Sequence, residues 1–377
     1  MRPALGLVAI LLGACGFEHG HLTGGTTSDG GDAPIGADAD APAANPWLTG
    51  FLYRKPITIT TPTLSAELTD FPVGIVEGAD PELGDNARAD GLDIIFTSDD
   101  AMTRLDHELV KFDGLTGALE AWVHMPTLKN GTTRIYMYYG AAAQTPSLPA
   151  AVWATPFAGV WHLESPAVDS TVHAHNATAI GSSTTVPGLG RGIAGGARTY
   201  DGGDTMNFGS PSDGSFDPGT TSFSVSLWVN VTTSSNNFDV AMHKGGLNNT
   251  DGGFAFFLGT GNWTVHMADG TSARDAQLGT DVHDQWVYLV GVIDRTAAQL
   301  IGYRDGVATP TSAAGLGAVT EGAGFFTGGG NTTQPYTGRI DEVRVMSGVR
   351  SADWIATEFA NLASSTFITI NTQQMKP

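Results

Sequence analysis

Cysteine is almost absent. The 377-residue chain holds one, Cys15, so no disulfide can form within it, and its folded parts must be held by buried apolar surface or by a metal. Positive charge is scarce too. Eighteen Lys and Arg stand against 38 Asp and Glu, a formal net charge of −20, and the basic residues do not cluster. That excludes the basic footprint by which proteins neutralise phosphate backbones, so no nucleic-acid partner is expected. The apolar run at residues 4–14 is too short to cross a bilayer, which takes about 20 helical residues. Catalytic signatures are missing as well. There is no Gly-x-Ser-x-Gly elbow, phosphate-binding loop or His-Glu-x-x-His pair. Nor is there a Glu-x-Asp-x-x-Glu strand of the kind that sets two carboxylates into one sugar-cleaving cleft.

What is present points to β structure and to an envelope address. Fifty glycines with only 15% charged residues suit a turn-rich β protein. Arg2 precedes the short apolar run, which ends in Leu12, Gly13, Ala14 and Cys15. This resembles the bacterial lipoprotein box and implies a signal peptide over 1–14, cleavage before Cys15 and lipidation of that cysteine. Gly16, rather than Asp, follows the cysteine and favours the outer membrane or cell surface. Residues 15–45 are rich in Gly, Ala, Asp, Thr and Pro and too poor in large apolar residues to fold. They read as a tether with a mean reach of about 30 Å, the only link to the membrane being the lipid. Glu18, His19 and His21 within it are a weak metal-ligand set, more simply read as incidental.

Residues 46–151 show short alternating runs between turn residues, such as Ile57 to Thr60 and Phe71, Val73 and Ile75, and read as a β-sandwich. Several motifs come in order: Trp47, Arg54, Asp70-Phe71-Pro72-Val73, the run from Gly91 to Thr97, His107-Glu108, Trp122-Val123, and the run from Ile135 to Gly140. Together they resemble the domain of unknown function 2341, which implies no established chemistry. Asp93, His107 and Glu108 are read as buried hydrogen-bonding residues rather than an acid/base set.

Residues 152–371 read as a second sandwich, with 372–377 as a tail. The clearest strand places Phe223, Val225, Leu227, Val229 and Val231 on one face and Trp228 on the other. Residues 253–258 and 262–267 form a predicted hairpin across Gly259, Thr260 and Gly261. Residues 338–345 are apolar at Ile340, Val343 and Val345, a set that changes parity and so predicts a bulge that re-aims a side chain. A helix is expected over 351–359. The closing strand, the Asp169-Ser170 turn, the run from Arg198 to Asp204, and the Trp286 to Gly306 progression resemble concanavalin A-like, laminin-G-type jelly rolls. The fold class is therefore all-β, two β-sandwich domains in tandem, the second a jelly roll of that type.

The resemblance implies recognition of a glycan or a cell-surface protein, assisted by calcium. Asp169 and Asp341 are the candidate calcium ligands, the alternative being that they accept backbone N–H bonds and cap turns. Trp228, His243, Trp263 and Tyr336 are the candidate ligand-binding residues, the alternative being ordinary packing. His173 and His175 share one strand face, as in some zinc sites, but no third ligand stands out in the sequence. Two further readings stay open: a polysaccharide hydrolase or lyase of the same fold, and a structural envelope spacer.

Overall fold

The computed structural model describes residues 46–143, 145–187, 196–234, 238–248, 250–329 and 334–377. The expected signal peptide, Cys15 and the tether lie outside them. Short strands with one apolar face are stable only when sheets stack, and the described chain does this twice. From Asn45 to Pro377 it forms one compact unit.

In the first sandwich, a three-stranded sheet (Leu68–Glu77, Ala118–Leu128, His107–Asp113) packs on a six-stranded one. The larger sheet runs Ile368–Ile370, Tyr53–Thr60, Thr132–Tyr139, Ile95–Thr97, Arg104–Leu105, with Gln374–Met375 also on Tyr53–Thr60. Ile57, Ile59, Phe71, Val73, Ile135 and Met137 fill the space between them. The last two strands come from the far end of the chain, which corrects the expected boundary. Residues after 366 belong to the first sandwich, and 372–377 are not a free tail. Tyr53–Thr60 would otherwise present an open edge. Ile57 pairs with Ile370, Ile59 with Ile368, and Arg54 with Gln374 to close it.

The second sandwich is the expected jelly roll. One sheet runs Thr185–Pro187, Gly196–Asp201, Thr337–Ser347, Phe223–Thr233, Val287–Asp294, Gln299–Arg304, Val307–Ser312, with Phe157–Trp161 also pairing with Thr337–Ser347. The other runs Ala273–Thr280, Asn262–Asp269, Gly252–Gly259, Phe238–Gly245, Phe325–Thr327, Thr205–Gly209, Thr178–Ile180. Phe223, Val225, Leu227, Val229 and Val231 face the core, as their alternation predicts. The hairpin turns at Thr260 and Gly261, both at positive φ (50° and 79°). That is the geometry whose twist suits a two-residue hairpin.

The two outer faces of the jelly roll are treated differently. A helix, Ala352–Ala363, starts at Ser351, whose Oγ accepts the Trp354 N–H at 3.1 Å. Its residues Ile355, Phe359 and Leu362 cover Trp228, Tyr288, Val290 and Tyr303 on the eight-stranded sheet. Nearby, Val160 and Met346 of that sheet join the core of the first sandwich. Helix and first sandwich also meet at Gly74, whose N–H and C=O bond the Asn361 amide at 2.7 and 2.9 Å. A Cβ at Gly74 would lie 3.1 Å from the Trp122 ring, so a larger residue there would require that ring to shift by a few tenths of an ångström.

Phe367 is 1% exposed at the start of the returning strand. Phe367→Ala is expected to lower stability by about 3–5 kcal/mol in urea unfolding, as for a fully buried aromatic. Truncation after Ala363 is expected to give an aggregating chain, read by size-exclusion chromatography, because it bares the edge of Tyr53–Thr60.

Candidate functional site

The seven-stranded sheet is the face that the helix and the first sandwich do not take. Met206, Phe325, Met242, Phe254, Val265 and Ala276 point into the core. Alternation therefore turns their neighbours outward. The register sets Asn207, Phe326, His243, Ala255, His266 and Asp275 side by side, one from each of six adjacent strands. At about 4.8 Å per strand this is a row of about 24 Å. Phe326 and the His243 ring stack at 5.3 Å. Ala255 is the small step between the two imidazoles.

Each imidazole is oriented by an acceptor behind it. His243 Nδ1 donates to the Gly245 carbonyl at 2.9 Å and His266 Nδ1 to Asp275 Oδ1 at 2.7 Å. A carbonyl or carboxylate oxygen only accepts, so the proton is fixed on Nδ1 in each ring. Burial pushes the His243 pKa below the usual histidine range, against a smaller upward pull from the Gly245 carbonyl, so its Nε2 keeps a lone pair. Among the described residues the Nε2 atoms of His243 and His266 have no hydrogen-bond partner, although both are buried. An unpaired buried acceptor costs about 1–3 kcal/mol, so this row holds unused hydrogen-bonding capacity.

A second cluster lies in the seam between the sandwiches. The predicted bulge in Thr337–Ser347 is real. Ser226 pairs with Arg344 but Trp228 with Asp341, which inserts one extra residue. Glu342 sits in the bulge at a φ of 51°. Its carboxylate meets His162 Nδ1 at 2.6 Å and Arg344 at 2.7 Å. The other His162 nitrogen reaches Glu108 at 3.1 Å, and Glu108 also accepts Ser170 Oγ and Trp153 Nε1. Arg344 bonds Glu358 of the helix at 2.7 Å, and Tyr288 donates to that carboxylate at 2.8 Å. The guanidinium lies 4.5 Å from the Trp122 ring and 4.9 Å from Trp153.

Burial opposes the charge on His162, but Glu342 and Glu108 outweigh it and hold its pKa well above the usual value. Both of those carboxyls lie below their usual range, because His162, joined at Glu342 by Arg344, overcomes their burial. Glu120 is different. Burial, reinforced by Glu342, pushes it up to about 8. Glu120, His162 and Glu342 have donor atoms within 4.8 Å of one another. An imidazolium bonded at both nitrogens offers no lone pair, so the geometry is that of an ion-pair network rather than a metal centre. The adjoining cavity, lined by Glu108, His162, Glu164 and Ser170, has about 140 Å³. That falls short of the roughly 300 Å³ at which small-molecule sites begin.

Most residues singled out from the sequence as ligand contacts are elsewhere. Trp228 lies under the helix, stacked on Tyr288 and Phe359. Trp263 and Tyr336 are fully buried in the jelly-roll core, with Trp263 Nε1 bonded to Asp281. The correction has one cause: these rings supply the apolar area the sandwich needs, and their polar atoms find partners inside it. Only His243 faces outward. Asp169 accepts Val160 N–H, Thr171 N–H, Thr171 Oγ and His175 N–H in its turn, and Asp341 accepts the Glu342 N–H at the strand bulge, so both accept backbone N–H bonds as in the alternative reading. Neither belongs to a metal-capable group of three or more among the described residues. Sequence reasoning missed His162, His266 and Phe326. His266 alternates with Trp263 in the hairpin and was legible as outward-facing, whereas nothing local marks His162 as the partner of Glu342.

Residues 201–356 match the family model described as the concanavalin A-like lectin/glucanases superfamily, and this part of the chain is a jelly roll of that kind. No curated protein matches the sequence. Among solved structures, the chain is similar to the binding domain of Paraclostridial Mosquitocidal Protein 1, at 15% identity and a TM-score of 0.46 over 54% of this chain and 52% of that one. It is similar to the botulinum neurotoxin serotype G binding domain at 13% and 0.45, over 55% and 51%. It is also similar to domain 4 of AbnA, an extracellular arabinanase from Geobacillus stearothermophilus in complex with arabinotriose, at 18% and 0.43, over 54% and 98%. The chain thus spans about half the length of the first two.

Arg344→Ala leaves Glu358 buried without its cation and Glu342 with His162 alone, and is expected to cost about 3–5 kcal/mol in chemical unfolding. The network also sets a pH dependence. Glu120 stays protonated in the folded chain up to about pH 8, while the unfolded chain releases that proton near the usual glutamate pKa. From roughly pH 4.5 to 8 the folded state therefore binds one more proton, and this group lowers stability by about 1.4 kcal/mol per pH unit as pH rises. The His162 contribution is whole below its usual pKa and is lost as pH climbs through its raised value. The Glu108 and Glu342 contributions are present above the usual carboxylate range and are lost in acid. Unfolding curves of Glu120→Gln between pH 5 and 6.5 are expected to be flatter than those of the parent; an unchanged slope would place an ionised Glu120 in the seam.

Proposed function

We propose that this chain is a non-catalytic recognition protein of the bacterial cell surface, held by a lipid on Cys15, whose jelly roll binds a glycan on the outer face of the seven-stranded sheet. The observation that carries the reading is the row from Asn207 to Asp275 with its two oriented, unpartnered imidazole nitrogens. A sugar presents hydroxyl donors and an apolar C–H face. The His243 Nε2 lone pair accepts from the former and Phe326 stacks on the latter, while the buried His266 lies deeper in the same row. The match of residues 201–356 to a lectin and glucanase superfamily supports the same chemistry. The carboxylates that converge in the seam are consumed by His162 and Arg344, which favours binding over hydrolysis. The face is offered away from the helix-covered side, so docking in the seam and ligand binding do not compete for one surface.

The test is a glycan and cell-wall-polymer array probed with the purified chain, followed by titration of any hit. His243→Ala, His266→Ala and Phe326→Ala are each expected to weaken binding about tenfold or more, near 1.4 kcal/mol apiece. Binding that survives all three substitutions would move the site off this face. An array without hits would favour a protein ligand or a spacer role.

A further inference from the structure

A three-ligand cluster outside the sheet face and the seam has the spacing of a metal site. Asp169 shapes one side of it. Its Oδ1 accepts the N–H groups of Val160 and Thr171, and its Oδ2 accepts Thr171 Oγ and the His175 N–H. These bonds fix the turn that brings the His173 and His175 rings together, 5.5 Å apart and 21° from parallel. The edge of His175 rests on Phe216 at 5.1 Å. Asp213 approaches from a separate turn. Its Ser215 N–H bond to Oδ1, at 2.9 Å, orients the carboxylate. The Oδ2 atom then stands 3.5 Å from His173 Nδ1 and 3.4 Å from His175 Nε2.

Those separations are long for hydrogen bonds, which cluster near 2.7–3.2 Å. They fit ligands of one ion instead. Two donors each about 2.05 Å from a tetrahedral zinc lie about 3.3 Å apart. All three donor atoms lie within 4.8 Å of one another. Behind His175, Asp169 Oδ2 is 4.0 Å from Nδ1, and that Nδ1 is buried without a hydrogen-bond partner. A metal on Nε2 puts the proton on Nδ1, on the Asp169 side; at 4.0 Å the two do not hydrogen-bond, and Asp169 positions His175 through its backbone N–H at 2.9 Å. Two imidazoles and a carboxylate suit zinc far better than calcium, which takes six to eight oxygens.

We propose that His173, His175 and Asp213 bind one zinc-class divalent ion, with Asp169 as the residue that positions His175. Three protein ligands leave the fourth position open. His173 and Asp213 line a cavity of about 290 Å³ whose other walls include Phe157, Phe223 and Met346. Water or an oxygen anion entering that cavity completes the coordination. The site is separate from the sheet face and stands or falls independently of glycan binding.

The test is zinc titration of the chelator-stripped full chain by calorimetry, carried in a His19→Ala/His21→Ala background so that the N-terminal imidazoles do not contribute. One equivalent of zinc is expected, with binding weakened at least about tenfold by His173→Ala, His175→Ala or Asp213→Asn. Cobalt as a spectroscopic substitute is expected to give the visible absorption of a four-coordinate ion, lost in the same variants. Melting of each metal-free variant checks its fold. If one is unstable, the cobalt spectrum of the parent decides. Failure of the parent to take up zinc, or undiminished binding in the His173→Ala/His175→Ala double variant, overturns the proposal.

Discussion

Arg344 lies between Glu342 and Glu358 with the faces of Trp122 and Trp153 beside it, and its place depends on one extra residue in the strand that carries it. Without the bulge, strict alternation would put Glu342 on the side of Ile340, in the jelly-roll core. With it, Ile340, Val343 and Val345 remain inside while Glu342 and Arg344 both reach the seam. The first sandwich supplies Glu108 and the Trp122 ring, the connecting segment supplies Trp153 and His162, and the helix supplies Glu358. Five separate stretches of sequence therefore converge on one ion-pair network.

Much of this architecture was legible beforehand because it follows from periodicity. The alternation from Phe223 to Val231 gave the core face and the opposite placement of Trp228. The parity change at Ile340 and Val343 gave the bulge. The small residues Thr260 and Gly261 gave the hairpin. The return of residues 367–375 to the first sandwich was not legible, since a three-residue strand such as Ile368–Ile370 has no pattern of its own and is stabilised only by the open edge it covers. The aromatic residues misled for a related reason. Trp263 sits in a strand and Tyr336 just before one, where burial is decided by the opposite sheet, and sequence reports only which side of a strand a residue takes. The Asp213 approach to His173 and His175 joins loops some forty residues apart, a contact no local spacing encodes.

The treatment of the two outer faces follows from the same chemistry. The eight-stranded sheet places Trp228, Tyr288 and Tyr303 outside its own core, an apolar area that needs cover, and the amphipathic helix and the first sandwich supply it. On the opposite sheet the outward row is His243, Ala255, His266 and Asp275, with polar atoms that a packed neighbour would strand. The side chains themselves thus distinguish an apolar face built for intramolecular docking from one whose outward row carries imidazole and carboxylate groups.

The ionic character of the seam bears on what the first sandwich contributes. An apolar contact of the same size would hold the sandwiches together, but dispersion and water exclusion are non-directional and tolerate sliding. The bonds of His162 to Glu108 and Glu342, and of Arg344 to Glu342 and Glu358, are satisfied in one registration only. A shift of a few ångströms leaves buried charges unpaired, at a cost of about 3–5 kcal/mol for each pair broken. The returning strands at Ile368 and Gln374 and the Asn361 clamp on Gly74 act in the same direction, since they tie the end of the jelly roll to the beginning of the first sandwich. The first sandwich accordingly behaves as a fixed base for the jelly roll: the sheet face with its two oriented imidazoles is presented in a set orientation relative to residues 46 onward rather than on a swivelling module.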